Sequence, residues 1–437
     1  MNFNDLITSI ITVIIFITIV LNSRFFDFKS ISKKLVAGMI IIKCLGTFLV
    51  FYFFQNHYPN FEREKFDVFK YYDDGLIISN ATNSSYEDFF DLILYENGGN
   101  KDLDKKYFSK MKAWKSNYKN LNLKEAHRVI KINAILNLFG RGNIFFNSLI
   151  FCLIGFIGIV LVLKSVEELF SKKYFKYSFL IIILFPSILF WSSGILKEPL
   201  IFLGIGISFW SAKKILDHQT NFKYLASFIF GVAIIYLFKS YLFVIIMLSY
   251  GITFLHYKFK PKLFFTKLTI IGLFLIIGTH KFIPEISPTN IITAKQTDFI
   301  LEAQKENAKS YYEIERLENN VFKLIKSIPF AVYNSLTRPN FYDIKSKIHI
   351  PSFIENIFVL LMLVYSIFTI FKSKINFSKL EKHLVIFSLT FVSVLYGLIG
   401  ITVPLFGNLV RFKVPGLFFI ILCCLLIFDK KINLNTK

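Results

Sequence analysis

Apolar residues in this chain come in long unbroken runs, and polar residues gather between them. Runs long enough to cross a bilayer recur along the whole chain, at roughly 6–22, 35–54, 144–163, 177–192, 199–212, 223–238, 240–256, 264–280, 353–371, 383–403 and 413–428. They are too long and too continuous for barrel strands, and a lone run in lipid satisfies its backbone only as a helix. The pattern predicts an all-α, polytopic membrane bundle of about eleven transmembrane helices.

Two long polar stretches interrupt this pattern, 55–143 and 281–352. The chain divides accordingly into two N-terminal spans (1–54), a polar segment with helices (55–143), a central set of spans (144–280), a second polar segment (281–352), and three C-terminal spans with a short tail (353–437). In the second polar segment, TDFILEAQKENAKSYYEIERLENNVFKLIKSI is rich in helix formers. Its series Leu301, Ile314, Leu317, Val321, Leu324 predicts an amphipathic helix of about 32 residues, on the membrane face or packed on the bundle. In the first, KEAHRVIKINAILNLFGRGN predicts a helix leading into the third span.

Composition agrees with a bilayer environment: 54% of residues are hydrophobic and 54 are Phe. The formal charge of +22 would suggest nucleic acid for a soluble chain, but its placement explains it otherwise. With the N-terminus outside, the inner connectors are 23–34, 164–176, 213–222, 257–263, 372–382 and the tail from Asp429. All are short and lysine-rich, as in SRFFDFKSISKK and KSVEELFSKKYFK, which is the positive-inside pattern. The C-terminus is then cytoplasmic, both polar segments are extracytoplasmic, and no nucleic-acid partner is required. Cys44, Cys152, Cys423 and Cys424 lie inside apolar runs and read as core residues. Leu6–Leu21 has no basic flank before it and no small-residue cleavage site after it, so it reads as a retained span.

The candidate chemistry falls on the outer side. FPSILFWSSGILKEPLIFLG (185–204) interrupts apolar sequence with Ser192, Ser193, Lys197, Glu198 and Pro199. The flanking runs are shorter than the roughly 20 residues of a full crossing, so the stretch reads as a re-entrant turn at 192–199, with a plain hairpin as the alternative. Pro199 suits the first turn of a helix, and Ser192, Ser193, Lys197 and helix N–H groups can hold a phosphate, with Glu198 in support. FDVFKYYDDGLIIS (66–79) offers Asp73 and Asp74 as a general base or as ligands for a divalent cation such as Mg or Mn; a turn is the alternative. SLTRPNFYD (335–343) offers Arg338 for bidentate phosphate binding, against a plain interfacial arginine. FGNLVRFKVP (406–415) offers Arg411, with Asn408 and Lys413 beside it, against snorkelling at the interface. His57, His127, His280 and His349 show no ligand spacing. Neither a phosphate loop ending in Lys-Ser/Thr nor a Gly-x-Ser-x-Gly elbow is present.

An acidic residue in the first large outer loop (YYDDG), helices in that loop, and later outer basic residues (Arg338, Arg411) together resemble the GT-C superfamily of membrane glycosyltransferases. FPSILFWSSGILKEPL and GNLVRFKVP are also similar to bacterial membrane proteins grouped with those enzymes or with polysaccharide polymerases. The chain departs from the family in placing the acidic loop after the second span rather than the first. The resemblance implies transfer of a sugar from a polyprenyl-phosphate-linked donor to a cell-envelope acceptor. In it Asp73 or Asp74 is the general base or a metal ligand, and Lys197, Arg338 and Arg411 hold the phosphate. It also implies residence in a bacterial cytoplasmic membrane. Three other readings stay open: an O-antigen-type polymerase or ligase, a transporter of lipid-linked substrate, and a non-catalytic envelope scaffold. Of the basic residues, Lys43 and Lys239 lie deep in the predicted spans.

Overall fold

A computed structural model describes residues 3–56, 62–94, 101–114, 121–217, 221–259, 287–305, 308 and 310–435. The described chain is helical, and its β-type pairing is the isolated bridge between Tyr311 and Leu405. Two compact units divide it, Met1–Phe243 and Val244–Lys437.

The first unit contains α1 (Phe3–Asn22), α2 (Lys33–Asn56), α3 (Asp67–Asn80), α4 (Tyr86–Leu94), α5 (Lys101–Lys106), α6 (Leu121–Gly140), α7 (Ile144–Val166), α8 (Lys172–Leu184), α9 (Pro186–Trp191), α10 (Lys197–Leu216), α11 (Phe222–Phe238) and the start of α12 (Ser240–Phe259). The second contains the rest of α12, then α13 (Pro288–Lys305), α14 (Val321–Thr337), α15 (His349–Ser373), α16 (Lys379–Thr402), α17 (Phe406–Phe412) and α18 (Val414–Asn435).

Six of these helices, α1, α2, α7, α10, α15 and α16, are long and apolar enough to cross a membrane. The pair α17–α18, bent by 50°, makes a seventh if it is one broken span. This is a helical membrane protein with fewer full-length spans among the described residues than the eleven expected. The expected span 177–192 is two short helices, because Pro186 lacks an N–H and starts α9 at its first position after α8 ends. The apolar helix α11 and the apolar stretch Ser240–His256 of α12 fall short of full-span length, and 264–280 lies outside the described residues. By contrast α10, expected to be short, runs to 20 residues, since Lys197 and Glu198 belong to its first turn and Lys213 and Lys214 to its last.

In the first unit, α7 and α10 meet through glycines. A methyl group on Gly206 would lie 2.3 Å from the Gly158 carbonyl oxygen, and one on Gly158 would lie 2.2 Å from the Phe202 carbonyl carbon. Small residues let helix backbones approach closely in a bilayer, where no hydrophobic force draws helices together. The helix expected to lead into the third span is α6, which stops at Gly140. Arg141 and Gly142 then take left-handed backbone angles, and Asn143 caps α7 by accepting from the amides of Phe145 and Phe146. One narrow stripe of α1, Ser9, Thr12, Phe16 and Val20, is buried, while Ile7, Ile10, Ile11 and Ile14 face outward as lipid-facing residues do.

In the second unit, α14 lies against α16, with Ser335 donating to the Tyr396 carbonyl at 2.7 Å. The long amphipathic helix expected from Leu301 to Leu324 is not continuous. Residues 311–320 are non-helical and lie between α13 and α14. Their backbone groups find partners elsewhere: Tyr312 N–H donates to Pro404 O, and Phe406 N–H to Ser310 O, both at 3.1 Å. Gln296 of α13 completes the trade, donating to Glu315 O and Ile401 O and accepting from Leu317 N–H. Helical periodicity loses here because those tertiary bonds replace the i to i−4 ladder.

Candidate functional site

The adjacent aspartates of α3 face different surroundings. Arg63, in the short turn before α3, grips Asp73 with two bonds of 2.7 Å, Nε to Oδ2 and Nη2 to Oδ1. The Asp73 side chain is 35% exposed, and the Arg63 guanidinium also lies 4.8 Å from the centre of the Phe69 ring. Asp74 is fully buried. Its carboxylate accepts the backbone N–H groups of Lys112 (2.8 Å), Ala113 (2.8 Å) and Trp114 (2.9 Å). Burial raises its pKa above the ordinary carboxylate value, and the three amides partly oppose this. Asp74 therefore staples the 112–114 segment to α3. Trp114 in turn stacks on His127 of α6, ring centres 3.9 Å apart, and α3 meets α6 directly where Gly75 abuts Asn133. Tyr72 donates to the Gly142 carbonyl, and burial pushes its phenol up to about 12. As a cation site the aspartate pair does not converge: all four oxygens are engaged, by Arg63 or by amides. No group of three or more His, Cys, Asp or Glu placed to hold a metal occurs among the described residues.

The break between α9 and α10 is built around Lys43. Its ammonium donates to the Ser192 carbonyl (3.1 Å), the Ser192 hydroxyl (2.5 Å) and the Ser193 hydroxyl (3.2 Å). Lys43, Ser192 and Ser193 are all buried. An ammonium has three protons, so this trio satisfies it, and it places positive charge at the C-terminal end of α9, where a helix favours it. The depth of the break follows from helix geometry. Lys43 is ten residues from the start of α2 and thirteen from its end, about 15 and about 20 Å at 1.5 Å per residue. On the other side, Gly155 at the middle of α7 faces the break so closely that a methyl group there would lie 2.8 Å from Ser192 O and 3.2 Å from Pro199 Cα. The break thus stands at mid-height of two helices of spanning length.

Just past it, Lys197 pairs with Glu125 of α6 at 3.1 Å, and Glu125 also accepts from the N–H (2.9 Å) and hydroxyl (3.1 Å) of Ser240. Glu198 pairs with Lys239 at 3.4 Å, both buried. The adjacent Lys-Glu pair at the head of α10 thereby joins two other parts of the unit, α6 and the α11–α12 turn. Ser192 and Ser193, expected to face a phosphate, turn their hydroxyls to Lys43 and to the carbonyls of Ile188 and Leu189.

Arg338, Arg411 and Asn408 belong to the second unit. Arg338 ends α14 with the extended backbone expected of a residue before proline. It binds Asp343 (2.6 Å) and Asn334 (3.2 Å), and its guanidinium lies 4.4 Å from the centre of the Tyr312 ring. Lys413, at the bend between α17 and α18, is buried and donates to Asn356 Oδ1 (2.6 Å) and Arg338 O (3.2 Å). His349 joins this cluster through Ser310 (2.6 Å) and the Asp343 carbonyl (2.9 Å). Arg411 is buried and Asn408 half-buried on α17.

Sequence reasoning missed Arg63, Glu125, Asp343 and Asn356. Asn340 and Asp343 form a capping box that Asn-x-x-Asp could have announced, and it fixes the carboxylate on Arg338. Arg63 and Glu125 carry no such local signal, since their partners are 10 and 72 residues away. Comparison with protein-family models, with curated proteins and with solved structures finds no match for this chain.

Proposed function

We propose that the protein is a membrane glycosyltransferase that moves a sugar from a polyprenyl-phosphate-linked donor to a cell-envelope acceptor at the extracytoplasmic face. The orientation rests on the lysine-rich connectors. The observation that carries the reading is the division of labour in α3: Asp74 is consumed by structure, while Asp73 stays half-exposed and is aimed by Arg63. In the reaction, Asp73 takes the acceptor hydroxyl proton as that oxygen attacks the anomeric carbon. The bond from this carbon to the donor phosphate breaks, and the polyprenyl phosphate leaves with the electron pair. Lys197, in the same unit as Asp73, is the residue proposed to meet the phosphate charge. No step of this reading requires a metal.

The test uses the full chain in proteoliposomes with polyprenyl-phosphate donors bearing radiolabelled sugars. Label is expected to move to a membrane or glycan acceptor, with free polyprenyl phosphate released in equal amount, and Asp73→Asn is expected to slow transfer at least about a hundredfold. Unchanged transfer in Asp73→Asn would sink the assignment.

A second reading, the polymerase or ligase, is favoured by one observation: Arg63 already binds both oxygens of Asp73, the carboxylate on which the first reading depends. It is distinguished by its product. Lipid-pyrophosphate-linked oligosaccharides would lengthen by whole repeat units, and loss of Arg338 would stop this more completely than loss of Asp73.

A further inference from the structure

The cation to which the preceding reading gives a phosphate, Lys197, already holds an anion. Glu125 Oε2 is 3.1 Å from its ammonium. The other oxygen, Oε1, takes the N–H and hydroxyl of Ser240, the first residue of α12. Side-chain exposures of 15% for Lys197 and 7% for Glu125 leave little water to screen the pair. These donors, an ammonium, a helix-terminal N–H and a hydroxyl, are also the kind that bind phosphate oxygens. A phosphate brought to Lys197 would meet the Glu125 carboxylate at close range in a poorly screened place, and one ammonium cannot neutralise both.

We infer that Glu125 is a resident anion that competes with the substrate phosphate for Lys197, so that α6 latches the break shut until phosphate displaces it. Glu125 is then a positioning residue: it holds Lys197 and Ser240 in register when the seat is empty and leaves when it fills. The inference rests on the reading of Lys197 as a phosphate-binding residue, and the experiment separates the two.

The full chain in nanodiscs is titrated with a polyprenyl monophosphate and, separately, with inorganic phosphate. Glu125→Gln is expected to bind the lipid phosphate at least about tenfold more tightly than the native protein. Lys197→Met is expected to lose binding, and the double variant to behave as Lys197→Met alone. Tightening toward inorganic phosphate as well assigns recognition to the phosphoryl group, and tightening toward the lipid alone adds the chain; each supports the latch. If Glu125→Gln binds no more tightly while Lys197→Met still loses binding, the latch is wrong and the phosphate reading stands. If Lys197→Met binds as the native protein does, both fall. Should Glu125→Gln fail to fold, Glu125→Ala takes its place. It removes the same charge, so the same tightening is expected, and an unchanged affinity overturns the proposal.

Discussion

Asp73 and Asp74 are consecutive in α3, yet one is held by a half-exposed guanidinium and the other by three backbone amides in a buried pocket. Removing the buried carboxylate orphans three N–H donors. Asp74→Ala is therefore expected to lower stability by about 3 kcal/mol or more, at about 1 kcal/mol or more per group. Asp73→Asn breaks a solvent-screened pair and is expected to cost under about 1 kcal/mol. Thermal unfolding of the two variants in detergent decides this, and equal losses would contradict the separation of roles.

The same pocket sets a pH dependence. Burial raises the Asp74 pKa in the folded state above its ordinary value of 3.8. A raised carboxyl pKa means the fold favours the neutral acid, so this group's contribution to stability is greatest below the unfolded value and declines as pH rises through the folded one. A melting series taken upward from pH 4 is expected to show this decline in the native protein. It is expected to be absent from Asp74→Asn, whose overall stability is lower because one amide faces the new NH2 group. A decline of the same size in the variant would assign the effect to another group.

Close contact between α7 and α10 depends on the absence of side chains at Gly158 and Gly206. Alanine at either position is expected to cost about 1–3 kcal/mol through overpacking. Gly38, where an added methyl group meets nothing within 4 Å, serves as the comparison and is expected to tolerate alanine. Comparable losses at all three positions would argue against backbone contact as the cause.

Lys43 supplies the positive charge at the break. With Lys43→Met, the Ser192 carbonyl and both serine hydroxyls lose their ammonium partner, at an expected cost of about 1–3 kcal/mol. In a background without native cysteines, a cysteine placed at Ile195 is expected to react faster with a small maleimide once Lys43 is gone. An unchanged labelling rate would mean that the turn holds its shape without it.

How much of this was legible follows the range of each interaction. Apolar runs announced a helical membrane protein, because helix-forming periodicity and length are local. The α9–α10 break was legible too, since Ser192, Ser193 and Pro199 are punctuation a reader can see, whereas the break at Pro186 inside the expected span 177–192 was passed over. What the break rests on was not: Lys43 is 149 residues from Ser192, and nothing near it in the sequence names its partner. Asp73 and Asp74 looked interchangeable because their difference lies in Arg63 and in the amides of 112–114, which the fold delivers. The segment after Lys305 was misread for the converse reason. Its helical spacing was real, but Gln296 and the chain near Pro404 offered its backbone other partners.

The distance in sequence between Lys43 and its serines also has a consequence for synthesis. At about 5–20 residues per second, the ribosome makes α9 roughly 7–30 s after α2. During that interval Lys43 has none of its native acceptors, and a lysine at the centre of a span opposes insertion by about 2.5–3.5 kcal/mol. A nascent chain cut before α9 is therefore expected to leave α2 incompletely inserted, and Lys43→Met to relieve the delay. Protease protection of such truncated chains, with and without the lysine, reads the difference. On this account the last step of α2 insertion is taken with α9.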